Sequence, residues 1–394
     1  MIKKYLFTLL LSTFYSIAIL AQNVQLSTYS KISVITYGPG NALYEKFGHT
    51  AIRIQDPVVQ MDLIYNYGIF DFSEANFYVN FTKGFMKYKL ARYSFPPSLR
   101  MYNEDYRWVK EQVLNLTETQ RNTFFYYLEN NALPENASYF YDPFFNNCSS
   151  KPRDIIKDIL GDSVVFKSDF IKEKQSIRQL MNKEIHPNTW GSLGINIALG
   201  NKLDQTASPN EYMFLPDYVF YTLADSKIIV NGKEENLILK TNTLLEYPEK
   251  KPTSDVISPL LVFCIFLLIG SYLTYKDYKR HSRARWLDTL LFSVTGIFGV
   301  LIVFLWFFTN HSTAPNNFNF LWAFAPNLLL VFLVHKKNPP KWMYTYVQFL
   351  LVLLALIPFI WLFKVQLFPY TLVPFYVLLG VRYGYLLRTI KSSE

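Results

Sequence analysis

The chain is short of cysteine and histidine and poor in charge, with 2 cysteines, 5 histidines and 18% charged residues among 394. Its two cysteines are Cys148 and Cys264, and Cys264 lies in the middle of a long apolar run, where a thiol reads as an inert apolar side chain. The two are not expected to meet, so a disulfide framework is excluded and Cys148 is left as a lone thiol. The formal charge is +9, but the basic residues form no stripe interleaved with aromatics along one folded unit. Many of them flank apolar runs instead, which argues against nucleic acid and for a membrane.

Apolar residues are what the chain has in surplus, at 51% hydrophobic and 18% aromatic. The surplus lies in the first twenty residues and after Ser254, so the chain reads as bipartite. Met1-Ile2-Lys3-Lys4, the apolar stretch Tyr5 to Leu20 and Ala21 make a signal-peptide pattern over 1–21. Ile19 departs from the small residue usual at that position, so an uncleaved anchor is the alternative; both imply export. After the polar linker 247–254 come five apolar runs, near 256–274, 288–309, 318–334, 344–363 and 367–387, each near the roughly 20 residues a spanning helix needs. Lys276, Lys279, Arg280, Arg283 and Arg285 follow the first run, Lys336, Lys337 and Lys341 the third, and Arg388 with Lys391 the last. The segment 310–317 has no basic residue. The positive-inside rule then puts the first, third and last connections in the cytoplasm and residues 22–250 outside, the side to which the leader sends them. Residues 255–394 are expected to form an all-α transmembrane domain of five helices, with Arg382 snorkelling to the cytoplasmic edge.

The exported part has the signals of an α+β unit without repeats or low-complexity tracts. Strands are expected at 32–37, from His49 to Ile54, at 62–67 and at 85–92. Helices are expected over 103–114 and after Thr117, where Gln120 completes a capping box. Val230-Asn231-Gly232-Lys233 reads as a hairpin turn. Around the lone thiol, Asn146 or Asn147 can cap a helix, Pro152 suits its first turn, Ile155, Ile156, Ile159 and Leu160 give an apolar face, and Gly161 stops it. Cys148 therefore stands at a helix N-terminus, where the dipole favours thiolate and free N–H groups can hold an oxyanion. A thiolate nucleophile needs an imidazole. The exported part has His49, beside Gly48 at a strand start, and His186, before Pro187 in a polar loop; His49 is the better partner. Asn66 on the next strand can orient the ring, with Asp62 on the same strand face as its competitor.

The order His, polar residue, Cys resembles the circularly permuted NlpC-type branch of the papain-like fold, to which lecithin:retinol acyltransferases belong. Thr36-Tyr37-Gly38-Pro39-Gly40, Phe47-Gly48-His49-Thr50-Ala51-Ile52-Arg53, Ile64-Tyr65-Asn66-Tyr67-Gly68 and Asn146-Asn147-Cys148 more closely resemble inner-membrane lipoprotein N-acyltransferases of the Lnb type. Met213-Phe214-Leu215-Pro216 and the loop from His311-Ser312-Thr313 through Asn316, Asn317, Asn319 and Trp322 add to the likeness. The resemblance implies a permuted papain-like catalytic domain in the periplasm and acyl transfer from a phospholipid, through a Cys148 thioester, to the α-amino group of a diacylglyceryl-cysteine lipoprotein. Such a scheme calls for no metal and no cofactor. Asn147 and Arg153 beside the thiol, and His311, Asn317 and Trp322 on the outer loop, are candidates for substrate contact. Two other functions fit the same residues: a membrane-anchored cell-wall peptide amidase of the same thiol fold, and a non-enzymatic periplasmic binding or assembly protein. Residues 166–247, with Trp190-Gly191-Ser192-Leu193-Gly194 and Gly200, receive no role from the sequence.

Overall fold

The computed structural model describes residues 25–391 apart from Glu74 and Asn231, so the expected signal peptide lies outside the described residues. Strand β1 (Lys31–Tyr37) is buried on both faces after its first residue, with Ser33 and Thr36 buried among its apolar residues. Ile32 and Val34 join one core with Ile52, Ile54 and Tyr65, while Ile35 and Tyr37 join a second with Ala51, Ile64 and Phe95. Successive residues thus serve opposite faces, as the strand period of two dictates. β2 (His49–Asp56) and β3 (Met61–Ile69) follow as antiparallel neighbours. Next along the chain come α1 (Phe77–Thr82), β4 (Lys87–Ser94), α2 (Phe95–Glu104), β5 (Val109–Leu114), α3 (Glu118–Asn131), β6 (Ser138–Phe140) and α4 (Ser150–Leu160). Phe124, Phe125 and Leu128 of α3 and Ile155, Ile156 and Leu160 of α4 cover the first face. Each such side chain contributes about 1.5–3 kcal/mol on burial.

The capping box at Thr117 and Gln120 starts α3 as expected. The helix expected over 103–114 is instead two elements, because α2 ends at Glu104 and β5 runs from Val109. Pro96 and Pro97 set the helix start about eight residues earlier, at Phe95, Tyr106 turns the chain with φ of 54°, and Val109–Leu114 pairs with β1. Burial between neighbouring strands overrides the helical pattern there.

The remaining chain of this part forms β7 (Val164–Val165), α5 (Ile177–Glu184), α6 (Trp190–Ala198), α7 (Pro209–Tyr212), α8 (Pro216–Asp225), β8 (Lys227–Val230), β9 (Lys233–Asn236) and β10 (Ile238–Leu245). The hairpin expected at 230–233 joins β8 to β9 in a small sheet with β7. β10 returns to the main sheet, whose order is β10-β5-β1-β2-β3-β4-β6. The domain is α+β.

Beyond the linker lie α9 (Pro259–Lys279), α10 (Arg285–Phe307), α11 (Pro326–Val334), α12 (Trp342–Leu362) and α13 (Val373–Lys391). Among the described residues four helices are long and apolar enough to cross a bilayer: Pro259–Lys279, Arg285–Phe307, Trp342–Leu362 and Tyr370–Ile390. The third apolar run does not make a full spanning helix. It is a 3-10 turn at Phe318–Leu321 followed by the 9-residue α11, and 9 residues rise only about 14 Å against a hydrocarbon core of roughly 30 Å. Its non-helical part is buried in protein, where irregular backbone at membrane depth is tolerated. Gly296 and Gly299 of α10 make this possible, since a Cβ on either would lie 2.3 Å from the backbone nitrogen of Leu328 or Ala325. Arg382 does not snorkel. It is fully buried, donating to Asp288 Oδ1 at 2.6 Å and to Asp277 Oδ2 at 2.8 Å.

Residues 166–247 seat the exported domain on the helices. Leu193 and Ile197 of α6 belong to the apolar core of the membrane half. Trp190 Nε1 donates to Ile257 O at 2.8 Å, and Gly200 N to Thr313 O at 2.8 Å. A Cβ at Gly200 would lie 1.9 Å from Pro315 O, so only glycine fits this backbone approach. Arg178, fully buried, binds Asp204, Asn196 Oδ1 and the carbonyls of Leu199 and Gly200, while Asp204 Oδ1 accepts from Leu367 N. Arg178→Ala leaves the Asp204 carboxylate buried and unpaired, at a cost of about 3–5 kcal/mol. Thermal unfolding of the detergent-solubilised protein is expected to move down by several degrees; an unchanged midpoint would remove Arg178 from this role.

Candidate active site

His49 opens β2, Asn66 lies in the second half of β3, and Cys148 stands two residues before the start of α4. The sheet register brings the first two together: His49 Nε2 and Asn66 Oδ1 are 2.5 Å apart. Asn66 Nδ2 donates to Tyr93 OH at 2.7 Å, which fixes the amide with its oxygen toward the ring. With Asn66 Oδ1 as the acceptor, Nε2 donates to it, and the imidazole also hydrogen-bonds Cys148. Asp62 is not the orienting group, because Arg53 holds it in a bidentate pair at 2.7 and 2.8 Å. His186 binds Asn188 N through Nδ1 in its loop.

The thiol is sited by two glycines and an asparagine. Gly68 has φ of 94°, and a Cβ there would lie 3.5 Å from Cys148 Cβ and 3.4 Å from the Tyr141 ring. Gly48 has φ of 73°, and its Cβ would lie 2.7 Å from Tyr37 O. Both need a backbone that other residues adopt only under strain. Asn147 is 4% exposed, and its side-chain amide is bonded within the protein. Its Oδ1 accepts from Ser149 N and Ser150 N, each at 2.9 Å, and Ser150 Oγ accepts from Asn147 N at 2.7 Å. This reciprocal cap consumes the helix-start N–H groups that the sequence reading gave to an oxyanion. Cys148 N–H has no hydrogen-bond partner among the described residues. Asn147 Nδ2 donates to Phe214 O at 2.8 Å, and Pro216 lies 3.5 Å from the Cβ direction of Gly48. The Met213–Pro216 segment thus backs both the histidine and the cysteine strands of the site.

The electrostatics favour an ion pair. Burial pushes the Cys148 thiol up, but the His49 charge, its hydrogen bond, the Thr50 N–H and the Ser149 hydroxyl outweigh it and lower the pKa. Burial pulls the His49 imidazole down, but Cys148 and the Asn66 hydrogen bond raise it above its ordinary value. Both shifts move the pair toward thiolate and imidazolium. Burial first, and then the negative Cys148, push Tyr139 and Tyr141 up, so both phenols stay protonated beside it.

Four further candidates lie elsewhere. Arg153 pairs with Asp154 and donates to Asn210 O, in a cavity with Lys157 and Asp162 that includes neither Cys148 nor His49. Asn317 is buried and ties the outer loop to α6 through Ile197 O at 2.7 Å. Trp322 is buried against Phe298, Phe375 and Tyr376, and its Nε1 donates to Asn319. His311 meets the Phe81 ring edge-on at 6.5 Å, and its neighbour Ser312 donates to Asp142, six residues before the thiol. Asn317 and the His311–Ser312 segment tie the outer loop to the exported domain, while Trp322 packs within the membrane half. Sequence reasoning missed Tyr93, Thr50 and Ser149. Nothing local distinguishes Tyr93 from the other tyrosines; only its distance across β3 and β4 does.

The molecule is an exported α+β domain with a paired thiol and imidazole, docked on a multi-pass helical domain. A family model described as the Lnb N-terminal periplasmic domain matches residues 19–183, and one described as the Lnb transmembrane domain matches residues 251–394. The chain belongs to the Lnb family. It is an inner-membrane protein with its N-terminal domain in the periplasm. No curated protein and no solved structure matches the chain.

Proposed function

We propose that this protein is a lipoprotein N-acyltransferase with a permuted papain-like catalytic domain and Cys148 as nucleophile. The observation that carries the reading is the hydrogen-bonded series Tyr93, Asn66, His49 and Cys148, on a domain fixed to membrane helices. The chain order His49, Asn66, Cys148, with the thiol before a helix packed on an antiparallel sheet, supports the permuted fold.

In the first half-reaction the Cys148 thiolate attacks the carbonyl carbon of a phospholipid ester, and Cys148 N–H is available to the resulting oxyanion. The carbon–oxygen bond breaks, His49 gives its proton to the departing alkoxide, and a lysophospholipid leaves an acyl-thioester behind. In the second, the α-amino group of a diacylglyceryl-cysteine lipoprotein attacks the thioester. Neutral His49 takes a proton from that nitrogen, the carbon–sulfur bond breaks, and an amide forms as the thiolate returns. Both substrates are lipids, and docking on the helices holds the thiol where they can reach it.

The test is to reconstitute the protein in phospholipid vesicles without acceptor and examine the Cys148 peptide by mass spectrometry. A hydroxylamine-labile acyl adduct is expected; its absence from the wild-type protein would overturn the proposal. Asn66→Ala is expected to slow acyl transfer about 10–100-fold, mainly in kcat, because an unoriented imidazole is rarely productive. An undiminished kcat would exclude Asn66 from the catalytic set.

A further inference from the structure

Between β3 and β4 the chain carries aromatic residues that face solvent. Phe72 is 54% exposed, Tyr78 67% and Phe81 47%, and Val79 and Phe85 are exposed as well. A patch of this kind on a protein domain marks an interaction surface. Its position is fixed by the membrane half. Asn310 N donates to Lys83 O at 2.9 Å, a Cβ on Gly84 would lie 2.7 Å from His311 N, and Phe81 meets the His311 ring. Asn310 lies three residues beyond the end of α10, where Phe307 and Phe308 are 65% and 69% exposed. The aromatic segment therefore continues the apolar surface of a spanning helix at its outer end. Lys83, Lys87 and Lys89 are exposed beside it, the mix of aromatic and cationic side chains suited to an interface with lipid head groups.

The same rings lead inward. Phe72 and Phe77 pack on Phe70 at 4.8 and 6.0 Å, Phe70 on Tyr88 at 5.1 Å, and Tyr88 stacks on Tyr141 at 4.4 Å. Tyr141 sits beside Gly68 and Cys148. With Phe77 packed on Phe81 at 6.2 Å and Phe81 on His311, a series of ring contacts thus runs from the loop after α10 to Tyr141 beside the thiol.

We propose that Phe72, Phe77, Tyr78 and Phe81 dip into the outer leaflet and that the rings from Phe70 to Tyr141 guide a phospholipid acyl chain from there to Cys148. Insertion of the aromatic segment stands independently of the reaction; delivery to Cys148 rests on the proposed acyl transfer. The hydroxyl of Tyr78 and the lysines keep the segment at the head-group level, and the phenylalanines supply the apolar contact.

Two measurements test the pair. A nitroxide label on Cys at Tyr78, in the full chain carrying Cys148→Ser and Cys264→Ser, is read in phosphatidylethanolamine–phosphatidylglycerol nanodiscs by collision with oxygen and with an aqueous nickel chelate. Oxygen is expected to dominate at Tyr78, as at a label on Phe307. The chelate should dominate at Val58, in the turn at the other end of β2 from His49. Chelate-dominated collision at Tyr78, or shielding from both reagents as in a protein contact with a second copy, would overturn insertion whatever the reaction. In the otherwise native chain, the combined Phe77→Ser, Tyr78→Ser and Phe81→Ser variant should acylate Cys148 from vesicle phospholipid about tenfold more slowly. Its acylation by a water-soluble short-chain p-nitrophenyl ester should stay at the wild-type rate. Equal loss with both donors, or loss with neither, would overturn the guiding role. A wild-type protein acylated by the soluble ester but never by phospholipid would overturn the acyl-donor reading and leave the collision result standing.

Discussion

Cys148→Ala protein, reconstituted with phospholipid and an acceptor lipopeptide, is expected to lose acyl transfer by about three orders of magnitude or more, because the site holds no second thiol among the described residues and the neighbouring Ser149 hydroxyl is a far weaker nucleophile. Cys264 cannot substitute for it. That thiol lies within α9, inside the membrane half, while the imidazole is committed to Cys148. Cys148→Ser separates nucleophilicity from shape: the hydroxyl fits the same space, but its proton is held far more tightly than that of a thiol next to an imidazolium. Radiolabelled acyl transfer to the lipopeptide measures both variants, and the retention of more than about a tenth of the wild-type rate by either would end the thioester mechanism.

The second large effect concerns His49. His49→Ala is expected to lower acyl transfer about 10²–10⁴-fold, the range general acid–base catalysis contributes. The same change alters the pH dependence of Cys148 alkylation by iodoacetamide. In the wild-type protein the thiol is lowered, so the thiolate is already present below the ordinary thiol range and reactivity falls only when the pH drops through that lowered value. The imidazolium partner, raised above its ordinary value, persists until the pH climbs past it. Acyl transfer should therefore follow a bell with an acid limb below the ordinary thiol pKa and an alkaline limb above the ordinary imidazole pKa, both belonging to the coupled pair. Without His49 the charge that lowers the thiol is gone while burial, which raises it, remains. The alkylation limb must then shift upward; an unmoved limb would show that something other than the imidazole ionises Cys148.

The elements that build this site were unequally legible before folding was considered. β1 to β4 stand out because alternating or continuous apolar residues define strands locally, and α4 because its cap, apolar face and Gly161 stop fall within fifteen residues. The helix expected over 103–114 went wrong at Val109, whose environment is set by β1 and β10, elements far away in the chain. Asn147 reads both as one of two candidate caps, with Asn146, and as a polar group next to a nucleophile that suits substrate contact; the positions of Ser149 N, Ser150 N and Phe214 O show the cap. Asn317 and Trp322 read as groups at a bilayer surface, yet both are buried, Asn317 bonded to Ile197 O of the exported domain and Trp322 packed among the membrane helices.

Sequence by itself determined that the chain divides into an exported α+β part and an apolar helical part, and that His49 and Cys148 were the residues to watch. Those properties follow from the period of hydrophobicity, the phasing of lysine and arginine, and the scarcity of thiols and imidazoles, all readable within short windows. Tertiary structure alone decided that Asn66 rather than Asp62 holds the imidazole, that the third apolar run folds as a turn and a short helix, and that residues 166–247 form the seat on the membrane domain. Each of these depends on which polar group finds a partner across tens to more than a hundred residues of chain, and that competition is settled by strand register and close packing.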